Sequence, residues 1–157
     1  MSKSFRNKLD NSTVLGTWVV TSSPQHCEII GHAGFDFQIL DMEHGTVDFS
    51  ICEDMIRACE LSGCFPLVRL PKIDVTLAQR FLDRGVGGVI YPQVHSAADV
   101  KEAVETLMYP PKGKRGFNPF TRQGNFGHPS SEEFDQHPLR AIILENQKTL
   151  AELDAIL

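Results

Sequence analysis

The sequence has no long hydrophobic segment and little positive charge. Its 157 residues include 15 Lys and Arg against 20 Asp and Glu, which gives a net charge of −5. An acidic chain repels phosphate backbones, so we expect no nucleic-acid partner. No stretch approaches the ~20 apolar residues of a membrane-spanning helix, and the opening MSKSFRNKLDNST lacks the apolar core of a secretory signal. We therefore expect no membrane partner and a cytoplasmic location.

Cysteine is scarce, and its spacing does not suggest a metal site. The four cysteines form no CxxC pair and have no accompanying histidine spacing; they are Cys27, Cys52, Cys59 and Cys64. This pattern indicates reduced thiols that pack as small apolar groups.

Short apolar runs alternate with helical patterns along most of the chain. The strand-like runs are TVLGTWVVTSS, FDFQILDM, FPLVRLP, GVGGVIYPQV and LRAIILEN. Helix starts are predicted at Pro24, Asp74 and Ser96, and helix ends at Gly63 and Gly85. Nearly continuous apolar strands at roughly 25-residue intervals are typical of parallel βα units, either in a barrel or in a doubly wound sheet. Because GVGG precedes a strand rather than opening a helix, a dinucleotide-binding site is disfavoured.

One segment interrupts this rhythm. Residues 109–138, YPPKGKRGFNPFTRQGNFGHPSSEEFDQHP, contain five prolines and four glycines. Loops of this length inside a domain are uncommon and are usually functional. We expect it to connect the fourth helix to the fifth strand, with a possible short helix near SSEEFDQ.

Charged side chains follow several of the predicted strands. Asp41, Glu43 and His44 end the second strand, Arg69 lies in the third, and Glu145 follows the fifth. Parallel βα folds place their chemistry at these carboxyl ends. An arginine fork recognises a carboxylate, a glutamate can bind a divalent cation, and a histidine can move a proton. Taken singly, Arg69 fits a structural salt bridge equally well, and His44 fits a hydrogen-bonded turn.

Five motifs in order resemble the HpcH/HpaI aldolase family. They are GFDFQILDMEHG, FPLVRLPKID, RFLDRGVGGVIYPQV, YPPKGKRG and ILENQKTLAELDAIL, and they span about Thr13 to Leu157. The resemblance implies an α/β fold of parallel βα units from a TIM barrel, with about five of eight strands in one truncated domain over residues 1–157. It also implies a metal-dependent class II aldolase that cleaves 4-hydroxy-2-oxo acids or 2-keto-3-deoxy sugar acids to pyruvate and an aldehyde.

The same resemblance implies roles for individual residues. His44 corresponds to the catalytic histidine and Asp83 to its partner carboxylate. Arg69 corresponds to the group that grips the pyruvyl oxygens, and Trp18 to a wall of the pocket, although a core tryptophan is an equal alternative. Glu145 corresponds to a ligand of a divalent cation, Mg or Mn. The loop KGKRGFNPFTRQGNFG resembles the family's active-site lip.

The sequence also departs from the family pattern. Ile143 stands where the family has a glutamine two residues before the metal glutamate, and a second metal carboxylate is missing before the chain stops at Leu157. We therefore expect a homo-oligomer. We expect this chain to be active only if a neighbouring subunit contributes residues to the site. Two rival functions stay open. One is a citrate lyase β-type acyl-CoA lyase, in which KGKRG would meet CoA phosphates, and the other is a non-catalytic binder of 2-oxo acids.

Overall fold

A computed structural model describes residues 2–128 and 138–157, with side chains described from residue 5 onward. Five parallel strands form one sheet, and each pairs with the next along the chain. The strands are β1 (Gly16–Val19), β2 (Phe37–Asp41), β3 (Phe65–Arg69), β4 (Gly88–Tyr91) and β5 (Leu139–Ile142). A doubly wound sheet would reverse its strand order at one point. The strictly sequential order is that of a barrel wall, so the predicted five-strand part of a TIM barrel is confirmed.

Helices alternate with these strands. They are α1 (Ser2–Asn11), α2 (Pro24–His32), α3 (Phe49–Leu61), α4 (Val75–Asp83), α5 (Ala97–Thr106), α6 (Gln147–Ala151) and α7 (Leu153–Ile156). The predicted caps Asp74 and Ser96 accept backbone N–H groups of Leu77 and Asp99. Gly63 and Gly85 end their helices with positive φ, as predicted. None of the helices in the described ranges is long and apolar enough to cross a bilayer.

The larger of two apolar clusters lies between the sheet and the outer helices. It includes Leu40, Val68 and Val89 of the strands and Phe81 and Leu82 of α4. All four cysteines belong to it, and each is free and fully buried. Burial raises the pKa of the Cys52 thiol well above its ordinary value. The prediction that the cysteines pack as small apolar groups is confirmed.

The smaller cluster fills the concave side of the sheet, and an unpredicted helix closes it. Ile39, Leu67 and Ile90 point from adjacent strands into this cluster. Phe5 of α1 joins them and stacks on Phe65, with ring centroids 4.2 Å apart. α1 therefore covers the end of the sheet where the strands begin.

The described part of the long loop, residues 109–128, packs at the same end of the sheet, opposite the carboxyl ends of the strands. Its backbone at Gln123 donates to the carbonyl of Asp83 at the end of α4, and Arg122 pairs with Glu60 near the end of α3. Within one chain, residues 109–128 therefore do not form a lip over the strand ends, contrary to the expectation from the resemblance. The reason is topological, because a helix-to-strand connection returns to the end where strands begin. The short helix predicted near SSEEFDQ falls outside the described residues.

Candidate active site

A buried carboxylate organises the turn that follows β2. Asp41 is only 1% exposed, and its two oxygens accept bonds from Nε and Nη2 of Arg69 at 2.9 and 2.5 Å. Oδ1 also accepts the backbone N–H groups of Glu43 and His44, at 3.0 and 3.2 Å. A side chain at Gly45 would meet the Asp41 carbonyl at 2.3 Å, so glycine is required there. The acidic end of β2 is thus a folded turn built on one carboxylate.

The Asp41–Arg69 pair is stabilised in its ionised form. Burial alone would raise the pKa of Asp41, but bonds from Arg69 and from two backbone N–H groups outweigh it and hold this pKa below its ordinary value. The hydrogen bond to Asp41 raises the pKa of Arg69, with added contributions from the charges of Glu43 and Glu145. Both groups therefore stay charged at neutral pH.

Arg69 is fixed on several sides. Trp18, itself 45% exposed, lies against its guanidinium, with 4.3 Å from Cζ to the ring centroid. Oε2 of Glu43 lies 3.2 Å from Nη1. A guanidinium has five N–H groups, and the bonds to Asp41 and Glu43 use three of them. The other two make no hydrogen bond to a described residue.

The strand ends are linked further through Gln93, which follows β4. Its side-chain Nε2 donates to Oε1 of Glu43 at 2.8 Å, and its backbone N–H donates to Oε1 of Glu145 at 2.6 Å. His44 extends from the same turn with its side chain 72% exposed, and its Nε2 lies 3.8 Å from Oε1 of Glu43. The structure therefore brings Trp18, His44, Arg69 and Glu145 to one rim, whereas their roles remain predictions.

Comparison with known proteins identifies the family of this chain. The sequence profile described as HpcH/HpaI aldolase/citrate lyase matches residues 14–157. The chain belongs to this family. A 2-dehydro-3,6-dideoxy-6-sulfogluconate aldolase from Pseudomonas putida is 37% identical over 116 residues, covering 74% of this chain and 46% of the relative. A hydroxypyruvate/pyruvate aldolase from Roseobacter denitrificans is 31% identical over 157 residues, covering 98% of this chain and 61% of the relative.

The fold is shared with solved members of the HpcH/HpaI family. A family protein from Burkholderia cenocepacia superimposes with a TM-score of 0.89 at 25% identity, over 98% of this chain and 63% of that protein. The chain spans about half to three-fifths of the length of the curated relatives it matches. The activity of a whole family member is therefore a proposal for this chain.

Asp83 does not join the rim. It ends α4, at the opposite end of the sheet from His44, because α4 runs antiparallel to the strands and leads into the start of β4. Its Oδ1 accepts a bond of 2.9 Å from Nη2 of Arg115, which is buried and lies over the Tyr109 ring. The His44–Asp83 pair implied by the family resemblance is therefore not formed within one chain.

The position of the family glutamine is apolar in this chain. Ile143 packs against the inner cluster that contains Ile39, Leu67 and Ile90. The isoleucine side chain provides apolar surface but, unlike the family glutamine, cannot form a hydrogen bond.

The described residues provide only part of a cation site. Over residues 5–128 and 138–157, no three His, Cys, Asp or Glu side chains cluster in a way that could hold a metal ion. Glu145 is the predicted ligand, and one of its oxygens already accepts the Gln93 N–H. A divalent cation takes about six oxygens. A cation bound by Glu145 would therefore need further oxygens from substrate, water or other carboxylates.

One of the three basic side chains in the motif KGKRG is buried and so cannot contact a CoA phosphate. Arg115 is buried and paired with Asp83, and Lys114 pairs with Glu105 at 3.0 Å. Both lie on the long loop, away from the rim. Arg115 is therefore not available to a CoA phosphate, whereas Lys112 and Lys114 are exposed, and the acyl-CoA alternative stays a prediction.

Sequence reasoning missed two members of the site. Asp41 was recognised as a strand-end acid but not as the partner of Arg69, although the register aligns the two residues on neighbouring strands. Gln93 was not considered. Its position near the carboxyl end of the predicted strand GVGGVIYPQV was the available signal.

Proposed function

We propose that this chain carries the 2-oxo acid-binding half of an HpcH/HpaI aldolase site. The reaction is cleavage of a 4-hydroxy-2-oxo acid or a 2-keto-3-deoxy sugar acid to pyruvate and an aldehyde. The observation that carries the proposal is the fixed Arg69 guanidinium, with N–H groups left over, beside an exposed histidine and an exposed glutamate. The relatives named as aldolases support the same reaction class.

Arg69 has the geometry to hold the 2-oxo acid. Asp41 accepts hydrogen bonds from one edge of the Arg69 guanidinium, and the Trp18 ring lies against the guanidinium face. The guanidinium therefore does not need to reorganise when an anion binds. Its remaining N–H groups bind the pyruvyl oxygens. Preorganised donors of this kind stabilise charge that develops in the transition state. Here the charge is that of the enolate oxygen.

His44 is the candidate base. Its imidazole removes the proton from the 4-hydroxyl group, the C3–C4 bond breaks, and its electron pair passes into the enolate held by Arg69. The new carbonyl leaves as the aldehyde. Protonation of the enolate at C3 then gives pyruvate, so atoms and charge balance without an external oxidant or reductant.

Glu145 would hold the divalent cation, Mg or Mn, that the family implies. When bound, such a cation polarises the keto oxygen and offsets the negative charge of the enolate. Because Glu145 is a single carboxylate, we expect affinity for the cation to be weak until the 2-oxo acid adds its own oxygens.

Asp83 can serve His44 only from a second copy of the chain. The two residues occupy opposite ends of the sheet, so one subunit would have to present the end of α4 to the rim of its neighbour. This requirement supports the prediction of a homo-oligomer. The free cysteines support the cytoplasm as its compartment.

The reaction is tested by pyruvate release. We expect the chain to release pyruvate from 4-hydroxy-2-oxo acids in the presence of Mg or Mn, and EDTA to lower the rate by at least about tenfold. A lactate dehydrogenase-coupled assay measures it, with His44→Ala as the inactive control. Equal rates with and without EDTA would remove the metal from the proposal, and absence of pyruvate from every substrate would remove the aldolase itself.

A non-catalytic role in 2-oxo acid binding is the second candidate. It is favoured by the finding that no three His, Cys, Asp or Glu side chains of the described residues cluster as a metal site. A binding module would take up pyruvate or oxalate without turnover, and His44→Ala would leave that affinity unchanged. Calorimetric titration of both proteins with oxalate, beside the pyruvate assay, separates the two functions.

The contribution of Asp83 is tested by breaking its ion pair from either side. Asp83→Asn and Arg115→Met both disrupt this contact, and we expect each to cost about 1–3 kcal/mol of unfolding free energy. If a neighbouring subunit supplies Asp83 to His44, Asp83→Asn also lowers kcat of the folded protein by about 10–100-fold. Arg115→Met keeps the carboxylate and lowers kcat much less. Equal kcat values for the two variants would restrict Asp83 to a structural role.

A further inference from the structure

Gln93 adopts an unusual backbone conformation at the rim. Its φ is +52°, in the left-handed region that residues other than glycine rarely occupy. In this conformation its backbone N–H donates to Oε1 of Glu145 at 2.6 Å. Strained backbone of this kind persists where surrounding contacts fix it, and it clusters at functional sites.

The side chain of Gln93 reaches in the opposite direction along the rim. Nε2 donates to Oε1 of Glu43 at 2.8 Å, and Oε2 of the same carboxylate lies 3.2 Å from Nη1 of Arg69. An amide nitrogen can only donate, so the direction of this bond to a carboxylate is fixed. Gln93 therefore connects the arginine end of the rim to Glu145.

We propose that Gln93 is a positioning residue that keeps Glu43 from closing the Arg69 fork, and so leaves that fork available to the carboxylate of a 2-oxo acid. This inference rests on the proposed function, since it concerns the same anion site. Gln93 need not touch the substrate. It acts through Glu43.

The physical reason is competition between carboxylates for one guanidinium. Glu43 now uses one oxygen on Arg69, while its other oxygen is occupied by Gln93. Without that donor, the nearest remaining group to this oxygen is His44 Nε2 at 3.8 Å, and the oxygen can turn to accept another Arg69 N–H. Paired N–H···O bonds between guanidinium and carboxylate are strong. The incoming anion would have to displace them.

The test measures anion affinity rather than turnover alone. Oxalate, a planar dianion that resembles the enolate of pyruvate, is titrated calorimetrically into the protein with Mg²⁺ present. Gln93→Met keeps the side-chain length and removes the donor, and we expect its Kd to rise about tenfold, the effect of one bond to a charged group. Gln79→Met, in the middle of α4 on the outer layer, is the matched control with unchanged Kd.

A second variant separates positioning from simple structural support. Adding Glu43→Gln to Gln93→Met removes the competing charge, so we expect oxalate affinity to recover most of the loss. Unchanged affinity in Gln93→Met, or a loss that the double variant does not recover, would overturn the inference. If the unaltered chain releases pyruvate and binds oxalate, either of these two results contradicts the positioning role of Gln93 and leaves the proposed function intact. If it does neither, the proposed function fails and the inference fails with it.

Discussion

Replacing Arg69 by methionine is expected to reduce pyruvate release by at least about a thousandfold, because the two N–H groups proposed to bind the pyruvyl oxygens are lost together with the positive charge. Methionine retains much of the side-chain volume against Trp18 but provides no N–H groups. We also expect oxalate binding to fall below detection in calorimetry. The pyruvate-coupled assay and the oxalate titration check both effects on the same preparation.

Arg69→Lys is the matched control for charge. Lysine keeps the positive charge but presents a point charge rather than a planar fork, so it cannot reproduce the paired contact with Asp41. We expect a rate between those of the unaltered chain and Arg69→Met. Because either change leaves Asp41 poorly paired, rates are to be normalised to the folded fraction measured by circular dichroism. A methionine variant within tenfold of the original rate would exclude Arg69 from the reaction.

Much of the fold follows from local sequence signals. Side chains at Asp74 and Ser96 satisfy the free N–H groups of their helices, and glycine at position 85 adopts a positive φ at low cost. Continuous apolar runs predicted strands buried on both faces. The choice between a barrel and a doubly wound sheet could not be made in this way, because strand order depends on contacts between distant segments.

The first helix shows why some elements escape such analysis. The sequence of α1, SKSFRNKLDN, contains only two apolar side chains, Phe5 and Leu9. Its position depends on Phe5, which stacks on Phe65 of β3, and on the pairing of Lys8 with Asp36. These partners lie far away in sequence. Tertiary packing, rather than local preference, stabilises this helix.

The candidate site was predictable to the extent that strand ends define it. His44, Arg69 and Glu145 all follow or end parallel strands, and the structure places them on one rim. Gln93 contributes through a left-handed turn, which no residue pattern in IYPQV announces. Asp83 came only from family resemblance, and such resemblance does not state which subunit supplies a residue.

Replacing Asp41 by asparagine is expected to cost about 3–5 kcal/mol of unfolding free energy at pH 7, because it breaks a buried ion pair. Asp41 accepts two bonds from Arg69 and two from backbone N–H groups, and asparagine cannot accept all four. Asp54→Asn is the control: its side chain is 60% exposed and paired with Arg57, so we expect a change within about 0.5 kcal/mol. Urea denaturation measures both variants.

The loss of unfolding free energy caused by Asp41→Asn should become smaller at acidic pH. The pKa of Asp41 is below its ordinary value in the folded chain, since bonds from Arg69 and the backbone outweigh burial. A carboxyl of this kind contributes full stability above its unfolded pKa, about 3.9, and loses it as pH falls through the folded pKa. The difference in unfolding free energy between the original chain and Asp41→Asn should therefore be constant from pH 7 to 5 and narrow below about pH 4. A difference that stays constant down to pH 3 would mean that Asp41 stabilises the turn by shape rather than by charge.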